Sequence, residues 1–214
     1  MLWYLSKAKL MALKSAPKWY EIPKNVEVTL KEPFLGAVQA KLTQKADEKR
    51  EVAAALSQVK AIASVQLREF HELDSVPPLA RFTGEAMRVV NREGYWLATW
   101  RDKTGLILGG ATANGIGTDL ESSKASLLSP SLDPVEALQS AFGQGQTGPD
   151  IPRVLSHIYA TICSRSAGAQ HLPTVSGVCT IAAIYSVDAT VISNSLTPGL
   201  TRLVVGSPVY VEQE

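Results

Sequence analysis

Residues 175–192 read VSGVCTIAAIYSVDATVI, and the reading of this stretch decides the fold. Val175, Val178, Ile181, Ile184, Val187 and Val191 recur every three or four positions, the interval of one helix face. The composition pulls the other way, because Val, Ile and Thr are stiff at χ1 and fit a pleated surface better than a helix. Periodicity predicts a helix here, and a helix here makes the body of the protein helical.

The neighbouring segments extend that reading. Residues 151–165 place Val154, Leu155, Ile158 and Ile162 on one helical side, and Asp133-Pro134 caps a short helix running to Phe142. Between them, Gly143 to Pro149 has a linker's composition, and 109–131 is a Gly/Ser/Thr-rich loop. Residues 41–73 carry the strongest local pattern. Val52, Leu56, Val59, Ala63, Gln66, Phe70 and Leu73 step by four and three along one face with no Gly or Pro between them. Pro77-Pro78 ends that helix, and Leu79 to Arg92 reads as a second one with Phe82, Met87 and Val90 inward. A hairpin follows, with two aromatic and β-branched runs flanking the turn Asp102-Lys103-Thr104-Gly105. Beyond Pro198-Gly199, Leu200 to Val211 gives short strands around Gly206 and Pro208.

The prediction is an α+β fold, predominantly helical. It has a long helix at about 41–73, a central β-hairpin at about 95–108, short C-terminal strands, and extended N- and C-terminal arms. The domains divide into an arm over 1–34, a single body over 35–199 and a C-terminal strand and tail over 200–214. Pro17, Pro23 and Pro33 punctuate the arm, and Val26 to Leu30 alternates like a short edge strand.

The chain has 214 residues, 45% hydrophobic and 19% charged, with a formal net charge of +1. That excludes a disordered chain, which needs few apolar residues and a large net charge. Charge is unevenly spread: residues 1–31 hold six lysines against two glutamates, an excess of four, and the rest carries 15 basic and 18 acidic residues. A basic end on a mildly acidic body suits an arm that meets an anionic surface or a neighbouring subunit. The acid-free first twenty residues also raise mitochondrial targeting as a rival, although their charge is Lys rather than Arg. No stretch is long and apolar enough to span a membrane. Two cysteines cannot make a disulfide framework, so an intracellular, reducing compartment (cytoplasm or virion) is expected.

No catalytic pattern emerges. His157, Cys163, His171 and Cys179 are separated by five, seven and seven residues, which makes no zinc knuckle. Both cysteines sit in apolar runs, where burial disfavours the reactive thiolate. Gly109 to Gly117 matches neither a dinucleotide fingerprint nor a P-loop, and no other cofactor pattern is present. Asp119 with Glu121, and Glu69 with Glu72, are carboxylate pairs that nothing singles out for acid–base work. What remains is binding. Lysines interleave with aromatics in the arm, and helix two carries arginines, so Lys14, Lys18, Trp19, Tyr20, Arg88 and Arg92 are the candidate contacts to single-stranded nucleic acid.

These features lead to a non-enzymatic structural subunit of a homo-oligomeric assembly, of the viral coat or nucleocapsid kind. Copies of the chain would meet through the arm and the long helix. The alternatives are an accessory subunit of an organellar or membrane-peripheral complex and, third, a small enzyme without a recognisable motif.

Overall fold

A computed structural model describes residues 1–15, 44–90, 94–111, 114–116, 151–165, 172–187 and 199–214. The chain forms two compact units, one of Met1–Ser6 with Arg68–Glu214 and one of Lys7–Leu67. The expected strand at 26–30, the helix at 133–142, the linker at 143–149 and the loop beyond residue 116 lie outside the described residues.

The larger unit is a β-barrel. Strands make up 48% of the structure, against three α-helices among the described residues, which overturns the predominantly helical fold expected from periodicity. Its strands are β2 (Leu79–Val90), β3 (Tyr95–Arg101), β4 (Thr104–Gly110), β5 (Thr174–Ser186) and β6 (Arg202–Gln213). They pair in the order β2-β3-β4-β6-β5, and β5 closes on β2. All pairs are antiparallel except β4 with β6. A sixth strand, β1 (Leu2–Leu5), pairs with the far end of β6 at 210–212, past the point where β4 stops. The outermost residues of the expected N- and C-terminal arms are therefore strands of this sheet.

The reason Leu79 to Val90 is a strand rather than a helix lies in its alternation. Ala80, Phe82, Ala86 and Val90 belong to the barrel interior, whereas Met87 and Val89 face outward. Gly84, poor in a helix interior, sits where β2 leaves β5 (Leu79 to Glu85) for β3 (Ala86 to Val90). The hairpin expected at 95–108 is present as β3 and β4, and its turn puts Asp102 at φ 53°, a conformation Asp tolerates.

In β5 the helical spacing of valines and isoleucines has a different origin. Val175, Cys179 and Ile181 point inward, and an irregularity between Ile181 and Ala183 then shifts the alternation so that Ile184 packs on the same core. Gly177 lies between the inward residues, where an added Cβ would overlap the Tyr210 carbonyl oxygen and stand 2.6 Å from the Phe82 ring. Residues 200–211, expected as short strands, belong to one continuous strand, β6, with its own irregularity opposite Val178 and Cys179.

Outside the barrel, α3 (Ile151–Arg165) buries Leu155, Ile158, Tyr159, Ile162 and Cys163 in a second core with Met87, Trp96, Ala98 and Ile107. At about 1.5–3 kcal/mol per fully buried large apolar side chain, each of the two cores offers substantial stabilisation.

The smaller unit pairs α1 (Lys7–Ser15) with α2 (Gln44–Gln66). The long helix expected over 41–73 is thus 23 residues, about 35 Å. Ala55, Val59 and Ala63 form its buried face, with Val52 and Leu56 half-buried beside them. Phe70, expected on that seam, instead occupies a 3-10 turn (Phe70–Glu72) of the larger unit, with its ring in the barrel core. The chain leaves helical geometry at Glu69, which is extended and bridges to Arg81.

Candidate functional site

One end of the barrel gathers aromatic rings around a cation. The β1 register moves from Leu2 opposite Glu212 to Tyr4 opposite Val211, leaving Trp3 as an extra residue. This irregularity lets the adjacent Trp3 and Tyr4 both enter the barrel core, which a regular strand would forbid. Trp3 Nε1 donates to Gln213 Oε1 at 3.2 Å, and the Met1 ammonium donates to the Gln213 carbonyl at 2.7 Å. The Tyr4 ring lies 4.8 Å from that of Tyr95. Its hydroxyl accepts from Asn114 Nδ2 at 3.1 Å and rests over Gly110, where an added Cβ would come within 2.7 Å of the ring carbon that bears it.

Arg88 completes the group. It lies between Ala86 and Val90 on the inward face of β2, diagonal to Tyr95 across the β2–β3 pair. Its guanidinium carbon is 4.4 Å from the centre of the Trp3 ring, a cation–π arrangement. Arg88 Nη1 and the Tyr95 hydroxyl are both buried, and neither has a hydrogen-bond partner among the described residues. No carboxylate among the described residues pairs with Arg88.

The hydroxyls here are held protonated. Burial pushes Tyr4 up to about 12, with the hydrogen bonds from Asn114 and the Ala111 backbone pulling the other way. Burial also raises Tyr95 far above the ordinary tyrosine value, against the pull of the Arg88 charge. Near neutral pH both remain neutral hydroxyls able to donate.

The opposite end is built differently. Glu69 Oε1 meets Arg81 Nε at 3.2 Å, and His71 Nε2 lies 3.8 Å from Asp102 beside the β3–β4 turn. Arg68 reaches Asp74 at 3.2 Å and also donates to the Glu72 carbonyl, while Arg202 donates to the Leu73 carbonyl.

Of the six residues expected to touch nucleic acid, Lys18, Trp19, Tyr20 and Arg92 lie outside the described residues. Lys14 ends α1 with its Nζ 2.8 Å from Glu51 Oε1 of α2. Arg88 belongs to the other compact unit and points into the barrel end. Tyr95 is the member of the site that sequence reasoning missed; its place in the hairpin was legible, but nothing in one sequence pairs it with Arg88. Cys163 and Cys179 are buried and not joined in a disulfide, one in the core under α3 and one in the barrel interior. Among the described residues, no three His, Cys, Asp or Glu side chains gather as a metal site would require.

The architecture alone assigns no ligand. Among five-stranded barrels, the OB-folds bind oligonucleotides on the face of their second and third strands. The outer face of β3 and β4 is covered here by α3. No protein-family model, no curated protein and no solved structure matches this chain.

Proposed function

We propose that the chain is a non-enzymatic structural subunit that assembles with copies of itself through α2. The observation that carries this reading is that α2, besides its buried face, leaves a small apolar strip exposed between Arg50 and Gln58. Ala55, Val59 and Ala63 are buried, while Ala54, Ala61 and Val65 are exposed about half a turn away, Val65 by 82%. A valine exposed to that degree beside two alanines is in keeping with burial against a second copy.

Mass measurement in solution, with and without nuclease, tests the reading. The intact chain is expected to run as an oligomer. Val65→Asp should shift it toward monomer while changing the melting temperature little, because an exposed substitution away from special features stays within about 0.5 kcal/mol. A monomer at every accessible concentration removes the proposal. Loss of mass on nuclease treatment would favour the coat or nucleocapsid form, in which the lysine-rich segment meets nucleic acid.

A further inference from the structure

The Arg88 end of the barrel has a surplus of donors. Tyr4 already accepts from Asn114, and Trp3 Nε1 already has Gln213. Arg88 Nη1 and the Tyr95 hydroxyl are left over, buried on the same face with no acceptor among the described residues. Two buried donors diagonal to each other across one strand pair are costly to keep dry. A site of this kind is completed by something that brings oxygen atoms and negative charge. We propose that Arg88 and Tyr95 form a binding site for the carboxylate group of a small organic acid, a role independent of whether the chain self-associates.

Charge decides the class of anion. The site offers one positive charge, and a carboxylate cancels it. A phosphate dianion would leave one negative charge among Trp3, Tyr4, Tyr95 and Val90, where desolvation is expensive. Geometry agrees with charge. A guanidinium fork suits two carboxylate oxygens, and Nη1 of Arg88 is left without a hydrogen-bond partner among the described residues beside the Trp3 ring. The Tyr95 hydroxyl supplies a third donor, and the aromatic walls favour an acid with an apolar remainder. Arg88 is only partly buried as a residue, so the ligand has an approach along its exposed side.

The test is titration of the full chain with acetate, benzoate and inorganic phosphate at pH 7, followed by NMR of the Arg88 side-chain Nε–H. Saturable shifts are expected with the carboxylates, benzoate binding more tightly than acetate and phosphate more weakly than either. Tyr95→Phe, which removes only the hydroxyl, should weaken benzoate binding roughly ten- to hundred-fold, the loss of one hydrogen bond to a charged group. Arg88→Gln should abolish saturation, and Arg88→Lys should restore it partly, since the charge returns without the fork. A melting curve for each variant separates lost binding from lost folding. The proposal fails if no carboxylate saturates the wild type, if phosphate binds more tightly, or if Tyr95→Phe binds benzoate as the wild type does. It also fails if a crystal grown with benzoate holds only an ordered water between Arg88 Nη1 and the Tyr95 hydroxyl.

Discussion

The two ends of the barrel treat charge in opposite ways. Near the Asp102 turn, Glu69 takes Arg81, Arg68 takes Asp74, His71 lies beside Asp102, and Phe70 is fully buried in the barrel core. At the other end Arg88 has the face of Trp3 and no carboxylate among the described residues. The first end sets its charges in pairs, although Glu69 Oε2 and His71 Nδ1 are also buried there with no hydrogen-bond partner among the described residues. The second keeps a buried donor pair that a hydrophobic substitute would make cheaper, and folds tolerate such costs chiefly where function needs them. What separates a supporting end from the proposed binding end is therefore the pairing of charge, a cation with no carboxylate among the described residues against cations that have one, and it can be broken by experiment.

The largest effect belongs to the supporting end. Phe70→Ala removes a fully buried ring from the barrel core and should cost on the order of 3–5 kcal/mol, read as a shift in the denaturant midpoint. If the midpoint hardly moves, the 3-10 turn is not a structural plug and the contrast disappears.

Next in size is the alkaline limit of the binding end. Tyr4 has its pKa raised to about 12, above the ordinary value of 10 that it regains when unfolded. The folded state therefore prefers the protonated hydroxyl. Its contribution is fully present below pH 10 and is lost as pH rises toward 12. A shift of that size corresponds to about 2–3 kcal/mol. Tyrosinate absorbance followed alongside circular dichroism should show late ionisation coinciding with unfolding. Ionisation of all six tyrosines near pH 10 in a folded chain would contradict the burial of this end.

How far the sequence foretold these regions follows from where the strands are irregular. The hairpin was legible because the turn at Asp102 is local and both flanks alternate. The helical unit was legible because Val52, Leu56, Val59 and Ala63 keep one period, although the helix stops before Phe70. The barrel was not. In β5 Val175, Val178 and Ile181 are all buried although a strand's side chains alternate between faces, and the irregularity between Ile181 and Ala183 then breaks the period of two, so valines and isoleucines spaced by three resemble a helix face. Arg88 was identified as a candidate site residue, but as part of a helix face with Arg92. Its actual neighbours, Trp3 and Tyr95, come from strands whose meeting depends on barrel closure, and no local pattern encodes that.

Smaller effects sharpen the contrast because they should differ in sign. In carboxylate-free buffer, Tyr95→Phe removes a buried hydroxyl without a partner and should stabilise the protein by about 1 kcal/mol, reversing once benzoate is added. Asp74→Asn, at the supporting end, should destabilise by less than about 0.5 kcal/mol. The Arg68–Asp74 pair is that weak because both side chains face solvent, by 57% and 85%, so water replaces much of what the carboxylate gave. Arg68 also keeps its bond to the Glu72 carbonyl, so the substitution strands no charge. Denaturant midpoints at low and at high salt check it: the small loss should shrink as salt rises, since an exposed pair is screened. A loss above 2 kcal/mol that salt leaves unchanged would mean this surface pair holds the supporting end together, and the division between the two ends would have to be drawn elsewhere.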